Sequence, residues 1–569
     1  MSGEEQTRSL LQGTAILAFA AFFTKVIGVI YRIPYQNLTG DTGLYVYSQV
    51  YPIYTILLTL ATAGIPVAVS KLVSERLAYG DVTGARGIFK AAAIVMTGTG
   101  VLFFLVLFFG APWIAYLWNN DQQLTLPIRA VSFALLIVPL MAVLRGYYQG
   151  HQVMWPTGVS QMVEQIVRVM TILLGSYFLY MPFGAYVAGA TAVFGAFTGS
   201  LAALAVLLFF WKRTVHQSAN FSGRPSSVPS PSLPSQSLAA RHVPFLKIMK
   251  KVFAYALPIS LGSLVIPLFQ LVDSASIPNI LTWSGWVPEA ARDARGLFDR
   301  GQPLVQFGAF FATAMALALV PSIAEAQAKK DVRLIAKRSR LALKLTFVLG
   351  LASSVGLFLL AEPINRMFYL NQPGIIEAYI PDYGTTSISV LAFVIFFTTL
   401  NITAAAILQG VGQMLLPARH LLIGMLVKAV GNVLLIPVFD ITGAALASVI
   451  GYALATVLNV RSVSLTVGMR FSRYVLLKPL LATLLMAAAV WLMKNGLGHV
   501  LPLLLAEGRV YYMIVSLISV FTGVIVYMLL LLKLEVISRR ELALIPKADR
   551  VIRFLEYTGI MKKVGKKEG

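Results

Sequence analysis

The run LLQGTAILAFAAFFTKVIGVIYRIP, residues 10–34, decides how the whole sequence is interpreted. It is long enough to cross a bilayer as a helix, which takes about 20 mostly apolar residues. It also contains Lys25, which a helix entering at Leu10 would carry about 22 Å into the membrane, too deep to snorkel back to the near surface. An ionisable residue at such a depth usually faces a bundle interior or a water-filled cavity, so Lys25 is a candidate functional residue.

The composition of the chain is that of a membrane protein. Of its 569 residues, 58% are hydrophobic and only 12% are charged. Apolar runs of spanning length follow one another almost without a break, whereas a membrane β-barrel would show short alternating segments. The sequence therefore predicts an all-α polytopic membrane protein. The first run lacks a basic flank and a cleavage pattern, so we interpret it as a retained helix and not as a signal peptide.

Fourteen transmembrane helices are predicted from the apolar runs. They cover approximately residues 10–34, 44–70, 88–109, 127–149, 157–180, 184–211, 251–278, 297–322, 340–360, 385–410, 419–438, 441–460, 474–493 and 510–533. Basic residues cluster after spans 2, 6, 8 and 12 and in the C-terminal tail, and they are scarce in the connections between. By the positive-inside rule both termini are cytoplasmic, which an even number of spans requires. The net charge of +23 is therefore a topology signal and does not indicate a nucleic-acid partner.

A segment rich in Ser and Pro, with SSVPSPSLPSQS at its centre, divides the chain into two similar halves. The motif YYQGHQVMWP at 147–156 is echoed by ILQGVGQMLLP at 407–417, and Asp81 and Val82 by Asp331 and Val332. We therefore predict an N-lobe of six helices at 1–213, a disordered cytoplasmic linker at 214–247, a C-lobe of six helices at 248–462, and two extra helices with a basic cytoplasmic tail at 463–569. Because the linker joins two cytoplasmic ends, the lobes are parallel repeats, one layout of alternating-access transporters.

Charged residues inside the spans are the candidate site. Spans 1, 7 and 8 carry theirs in the middle or outer half of the membrane, where they could line one cavity: Lys25, Arg32, Asp273, Asp299 and Arg300. Such a wall suits a phosphate or pyrophosphate, because Arg offers bidentate contacts and Lys a point charge. The alternative is that these charges pair with each other and only hold helices together.

Two further pairs of polar residues lie inside predicted spans. Glu164 and Arg168 are four residues apart on one helical face, in the order that favours an ion pair, so a structural role is predicted. Lys428 and Asn432 share a face of span 11 in the same way, and the Lys428 ammonium is a candidate built-in cation. The sequence shows no metal-ligand spacing of His, no phosphate-binding Gly-rich loop and no catalytic motif, which predicts a transporter with no cofactor and not an enzyme.

Three stretches resemble one branch of a transporter superfamily. They are FFTKVIGVIYRIP at 22–34, RGYYQGHQVMWPTGVSQMVEQ at 145–165 and LFDRGQPLVQFGAFFATAMALALVPSI at 297–323. They are similar to the polysaccharide-biosynthesis branch of the multidrug/oligosaccharidyl-lipid/polysaccharide (MOP) exporters, and within it to the SpoVB and MurJ group of bacterial lipid II flippases. The resemblance implies two lobes in an alternating cycle, a central cationic cavity for a pyrophosphate and sugar headgroup, and a lipid-tail groove formed by the two extra helices.

The same resemblance assigns roles to individual residues. Lys25 stands where this group tends to have Arg, and Asp299 with Arg300 matches its Asp-Arg pair. Two positions depart from the pattern, because Tyr31 occupies a position that is often basic and Arg32 one that is often acidic.

The function implied is a flippase that moves lipid II from the inner to the outer leaflet of the bacterial cytoplasmic membrane. The expected partners are lipid II, or a related undecaprenyl-linked glycolipid, and membrane lipids, with the protein acting as a monomer. One alternative is an exporter of another lipid-linked oligosaccharide or a cation-coupled drug exporter, in which an in-span carboxylate such as Asp273 would couple transport. A membrane glycosyltransferase ranks lower, because the predicted outer connections are too short to hold a catalytic domain.

Overall fold

The computed structural model describes residues 19–62, 64–118, 120–221, 245–369, 382–469 and 473–536. Every regular element in these ranges is a helix, as the composition predicted. The α-helices are α1 (19–30), α2 (Arg32–Thr62), α3 (Ile65–Ala78), α4 (Val82–Leu117), α5 (Thr125–Ser132), α6 (Ala134–Gly150), α7 (Trp155–Phe221), α8 (Phe245–Ser263), α9 (Val265–Trp283), α10 (Pro288–Asp299), α11 (Gly301–Ala328), α12 (Val332–Phe368), α13 (Tyr383–Gly410), α14 (Leu415–Val467), α15 (Arg473–Val500) and α16 (Arg509–Lys533).

Ten helical stretches of the described chain are long and apolar enough to cross a membrane. Three of them, Phe19–Ala78, Trp155–Trp211 and Leu415–Val467, run for 60, 57 and 53 residues. At about 1.5 Å per residue each would be about 80–90 Å long, far more than the roughly 30 Å of a bilayer core. Each of these three stretches must therefore cross the membrane more than once.

Within the long stretches, helices α2, α7 and α14 each contain a residue whose backbone is not helical. The dihedral angles are φ 67° and ψ −172° at Gly40, φ 79° and ψ −177° at Gly184, and φ 50° and ψ −136° at Asp440. Glycine adopts a positive φ without a steric penalty, whereas an L residue such as Asp440 is strained there. The chain therefore turns sharply at these three positions.

Side chains on either side of these turns meet, so the long stretches are helical hairpins. The Tyr31 hydroxyl donates to the Tyr47 hydroxyl at 2.5 Å across the Gly40 turn. The hydroxyl oxygens of Thr171 and Thr198 are 2.7 Å apart across the Gly184 turn. The His420 ring nitrogen and the Asn459 side-chain oxygen are 2.8 Å apart across the Asp440 turn. With both arms of each hairpin counted, and with α8 and α9 taken together, the described helices are compatible with fourteen spans.

The repeat predicted from the sequence is visible in the helix caps. The Asp81 carboxylate accepts a hydrogen bond from the Gly84 backbone N–H at 2.7 Å and caps α4. The Asp331 carboxylate accepts one from the Leu334 backbone N–H at 2.9 Å and caps α12. The two halves therefore begin corresponding helices with the same local interaction.

The described residues form two compact units, each with its own buried core. The first unit comprises 19–299 and 425–444, and the second comprises 300–369, 382–424 and 445–536. The first unit thus contains α1 to α10 and the middle of the α14 hairpin. The lobe boundaries at 213 and 462 stay a prediction.

The predicted linker and tail fall largely on residues that the structure does not describe. Helix α7 continues to Phe221 and α8 begins at Phe245, so both ends of the predicted 214–247 linker are helical. Its Ser-rich and Pro-rich centre lies outside the described residues, as do residues 537–569 of the basic tail.

The helix surfaces expose large apolar side chains, as membrane helices do. Phe109 is 69% exposed, Leu434 65% and Phe521 64%. Water would penalise such surfaces, whereas lipid solvates them. The described chain is therefore a multi-pass membrane protein.

The Gly184 turn leads to a prediction on stability. Because nothing lies within 4 Å of an added Cβ and only the positive φ opposes one, Gly184→Ala should lower the free energy of unfolding by about 1–2 kcal/mol. The matched control is Gly356→Ala in α12, where an added Cβ also meets open space but no positive φ opposes it. Reversible denaturation in mixed micelles measures both; equal stability of the two variants would contradict the strained turn.

Candidate functional site

A buried ion pair lies in the first unit between α9 and the middle of α14. The Lys428 ammonium is 2.6 Å from Asp273 Oδ2, and both side chains are 4% exposed. The ammonium also donates to the Phe269 carbonyl oxygen at 3.2 Å. Charges buried in this way are tolerated only with partners at hydrogen-bond distance, so the pair holds two helices that are distant in sequence.

Asn432 completes this group of side chains. Its amide donates to Ser276 Oγ at 2.7 Å and lies 3.4 Å from Asp273 Oδ1. Lys428 and Asn432 therefore use the shared helical face that their spacing predicted. Asp273 differs from the prediction, because its carboxylate is engaged by Lys428 and does not balance the arginines of spans 1 and 8.

A second buried pair lies on α10 of the same unit. Arg295 Nη2 is 3.2 Å from Asp299 Oδ1, with side chains 3% and 5% exposed. The charges of Arg32 and Asp273 act on the Asp299 carboxylate, and those of Arg295 and Asp299 act on Lys428. The first unit therefore brings together Arg32, Asp273, Asp299 and Lys428 with Arg295. The sequence analysis missed Arg295, although its four-residue spacing from Asp299 is a signal for an ion pair.

Arg32 begins a strip of tyrosines along one face of α2. Its guanidinium carbon is 5.8 Å from the centre of the Tyr47 ring. The Tyr47 and Tyr51 rings stack at 5.1 Å, and Tyr51 lies 5.9 Å from Tyr54. We call Tyr47, Tyr51 and Tyr54 the tyrosine strip. Their spacing of four and three residues is the sequence signal that could have revealed it.

The far end of the tyrosine strip meets a cluster of two arginines and one glutamate. Glu164 is 2.6 Å from Arg168, the pair that the spacing predicted, and 2.9 Å from Arg145 of α6, which the sequence analysis did not include. The three side chains are 13–15% exposed. Because the Arg168 charge acts on Tyr51 and Tyr54, this cluster borders the strip.

Lys25 and Arg300, the remaining predicted site residues, lie in different surroundings. Lys25 is exposed on α1, and within the described ranges no carboxylate is at ion-pair distance from it. Arg300 belongs to the second unit and is fully buried, with its guanidinium carbon 5.6 Å from the centre of the Tyr369 ring. The Tyr369 hydroxyl donates to the Arg300 carbonyl oxygen at 2.8 Å. In this structure Lys25 is accessible to a ligand and the Arg300 side chain is not.

A buried carboxylate at Asp121 fastens several helices of the first unit together. Asp121 is 1% exposed and accepts hydrogen bonds from the hydroxyls of Tyr45, at 3.0 Å, and Tyr186, at 2.7 Å. Arg292 Nε lies 3.3 Å from the same carboxylate. The sequence offered no signal for this cluster, because Asp121 lies in a connection and its partners are brought to it by α2, α7 and α10.

The adjoining residues strengthen the contact between α2 and α10. The Thr42 hydroxyl donates to Asp293 Oδ1 at 3.1 Å. Gly296 lies so close to the Asp41 backbone that a Cβ would not fit. We call this set of contacts, centred on Asp121, the Asp121 junction.

The chemistry available to the first unit follows from which charges are compensated. The Asp273–Lys428 and Arg295–Asp299 pairs are neutral as pairs. Beside the tyrosine strip, in contrast, the described residues place three guanidinium groups against one carboxylate. Guanidinium groups bind phosphate oxygens in a bidentate manner, and tyrosines offer both an apolar face and a hydroxyl. This surface can therefore bind a polar anion.

The buried pair leads to a second prediction. Lys428→Met leaves the Asp273 carboxylate buried without a cation, and we expect it to cost about 3–5 kcal/mol of stability. Lys428→Met combined with Asp273→Leu removes both charges and should regain most of that loss. Thermal unfolding of the purified variants compares them; a double variant as unstable as the single one would contradict the charge argument.

Comparisons with known proteins place the chain in a family. It matches the family model for polysaccharide biosynthesis proteins over residues 10–327 and the MatE family model over residues 299–434. An uncharacterized membrane protein of Bacillus subtilis (strain 168), YabM, is 35% identical over 547 residues, 96% of both chains. The lipid II flippase MurJ of the same strain is 30% identical over 531 residues, which cover 91% of this chain and 94% of MurJ.

Solved structures show the same fold. A lipid II flippase MurJ in the inward closed conformation superimposes with a TM-score of 0.65 at 14% identity and covers 91% of this chain and 98% of that one. An inward-facing MATE family transporter of the MOP superfamily gives a TM-score of 0.60 at 16% identity and covers 78% and 94%. The resemblance predicted from three stretches of sequence is therefore confirmed, and the chain belongs to the polysaccharide biosynthesis protein family, with a MurJ/MATE-like fold.

Proposed function

We propose that this protein is a lipid II flippase. In this proposal it moves the undecaprenyl-pyrophosphate-linked peptidoglycan precursor from the inner to the outer leaflet of the bacterial cytoplasmic membrane by alternating access. The 30% identity to the MurJ flippase over nearly the full length of both chains supports it. The distribution of basic residues among the connections supports an orientation with both termini in the cytoplasm.

One structural observation carries the proposal: the excess of positive charge beside the tyrosine strip. Arg145 and Arg168 are 13% and 14% exposed although they lie on helices of membrane-spanning length. A charged side chain facing hydrocarbon costs at least about 2.5 kcal/mol, so such exposure favours contact with an aqueous cavity. A cavity with surplus guanidinium charge selects an anionic cargo.

The headgroup of lipid II fits this chemistry. Its pyrophosphate matches the bidentate geometry that Arg32 offers at one end of the tyrosine strip, and the exposed Lys25 adds a point charge. Its sugars match the mixed apolar and hydroxyl surface of the tyrosine strip. The headgroup needs a polar path through about 30 Å of hydrocarbon, whereas the isoprenoid tail can stay in lipid, so no bond has to be made or broken.

In this proposal the membrane potential alone is sufficient to drive lipid II from the inner to the outer leaflet. Because the cell interior is negative, moving two negative charges outward is electrically downhill and releases about 4–5 kcal/mol per 100 mV if they cross the whole field. The alternative of cation coupling would use an in-span carboxylate such as Asp273. Since the Asp273 carboxylate already has the Lys428 ammonium at 2.6 Å, the geometry favours the potential.

Reconstitution in liposomes with labelled lipid II tests the function. Wild-type protein should exchange the label between leaflets faster under an inside-negative voltage. Arg32→Gln and Lys25→Gln should each slow exchange by about 10- to 100-fold, because each removes a charge-assisted contact to the pyrophosphate.

The matched control for this assay is Lys329→Gln. Lys329 is 66% exposed and pairs with Glu325 in the turn between α11 and α12, away from the tyrosine strip in sequence. The Lys329→Gln variant should exchange lipid II at the wild-type rate. If both Arg32→Gln and Lys25→Gln exchanged lipid II at the wild-type rate, the proposed cationic site would be wrong. If the wild type exchanged no lipid II, the proposed function would be wrong.

The Asp121 junction gives an independent test of alternating access. Opening this end of the first unit would separate Thr42 from Asp293, whose side-chain oxygens are 3.1 Å apart. The chain has no native cysteine, so Thr42→Cys with Asp293→Cys can be joined by a short thiol-specific cross-linker without side reactions. Cross-linking should stop lipid II exchange, and a reducible linker should restore it on reduction. Single-cysteine variants are the controls; unchanged transport after complete cross-linking would show that the junction stays closed during the cycle.

A further inference from the structure

A cavity of about 240 Å³ lies in the second unit, where α12, α15 and α16 meet. Its polar lining consists of Glu362, Lys494, Asn495, His499, Tyr511 and Tyr512. It sits where α15 approaches its end and α16 begins, so it lies at one boundary of two membrane spans. The surrounding surface is apolar and exposed, with Leu492 at 63% and Leu503 at 84%. The cavity therefore opens where lipid headgroups would lie.

The cavity carries one charge of each sign. Lys494 Nζ is 3.1 Å from Glu362 Oε2, and these side chains are 26% and 40% exposed. A ligand with a single negative charge would bring that charge close to the Glu362 carboxylate as well as to the Lys494 ammonium. The lining therefore matches a ligand that itself carries one positive and one negative charge.

The Lys494 side of the cavity is suited to a phosphate. Asn495 and His499 lie beside Lys494 and offer further hydrogen-bond donors. Helix α16 begins at Arg509 with no side-chain cap and no acidic residue in its first turn. The N-terminus of a 25-residue helix carries a partial positive charge and orphan N–H groups, so it adds to the attraction for an anion.

The Glu362 side is suited to an ammonium group. The Tyr511 and Tyr512 rings lie edge to face, with their centres 4.9 Å apart. Arg366 already covers Tyr512, with its guanidinium carbon 4.9 Å from the ring centre, and its Nη2 lies 3.8 Å from Glu362 Oε1. The ring that a ligand would meet is therefore that of Tyr511. A carboxylate accepts hydrogen bonds from the N–H groups of a primary ammonium, and a tyrosine ring attracts the same cation.

We propose that this cavity binds the headgroup of a zwitterionic phospholipid with a primary ammonium group, such as phosphatidylethanolamine. The phosphate contacts Lys494 and the start of α16, and the ammonium contacts Glu362 and the Tyr511 ring. The acyl chains lie against the exposed apolar side chains of α15. None of the residues that line this site belongs to the tyrosine strip.

Native mass spectrometry of purified, delipidated full-length protein tests the site. The protein is incubated with phosphatidylethanolamine, phosphatidylglycerol or phosphatidylcholine, and the lipid retained is compared. Wild type should retain phosphatidylethanolamine best. Lys494→Gln and Glu362→Gln should each reduce its retention by about fivefold, the effect expected for a partly exposed charge pair. Glu362→Gln should also shift the preference towards phosphatidylglycerol.

A matched control lies just before the start of α12. Lys329 and Glu325, 2.6 Å apart and exposed, precede α12, whereas Glu362 lies near its C-terminus. Lys329→Gln should retain phosphatidylethanolamine as the wild type does. Equal retention of phosphatidylglycerol by the wild type, equal retention of phosphatidylcholine, or unchanged retention by both Gln variants in folded protein would overturn the proposal. Thermal unfolding of each variant establishes that it is folded.

Discussion

The contact between the Lys428 ammonium and the Asp273 carboxylate governs how the first unit is assembled. It joins α9 to an arm of the α14 hairpin, segments that are 155 residues apart in sequence. Both side chains are 4% exposed, so neither charge can be solvated by water while the helices stay packed. Each charge is stable only because the other is present, and this mutual requirement brings a part of the second half of the chain into the first unit.

Compensation of charge also separates the paired charged residues of the first unit from those proposed to bind the cargo. Asp273 with Lys428 and Arg295 with Asp299 form pairs, and buried pairs of this kind fix the relative position of helices. Arg32 lies instead against a tyrosine ring, and two arginines share Glu164 at the far end of the strip. Uncompensated positive charge costs free energy inside a membrane protein, and its presence beside a row of tyrosines is the basis of the proposed anionic cargo.

The turns between helices and the Asp121 junction satisfy polar groups with few residues. Gly40 and Gly184 allow helices to reverse without a loop, and Asp440 does so with an L residue at a positive φ. At the Asp121 junction a single carboxylate satisfies two tyrosine hydroxyls and lies beside Arg292. Short turns and shared acceptors keep polar backbone and side-chain groups away from lipid, which cannot hydrogen-bond to them.

The sequence by itself determined the all-helical membrane fold, the repeat and the family. Those features depend on apolar runs, on spacing within one helix and on motifs, all of which are local in the chain. It also predicted the Glu164–Arg168 pair, since residues four apart share a helical face. Only the tertiary structure decided that Asp273 pairs with Lys428, that Arg145 joins Glu164 and that Asp121 meets Arg292. Those partners lie on different helices, and which helices pack together depends on the whole bundle, so no spacing in the sequence could reveal them.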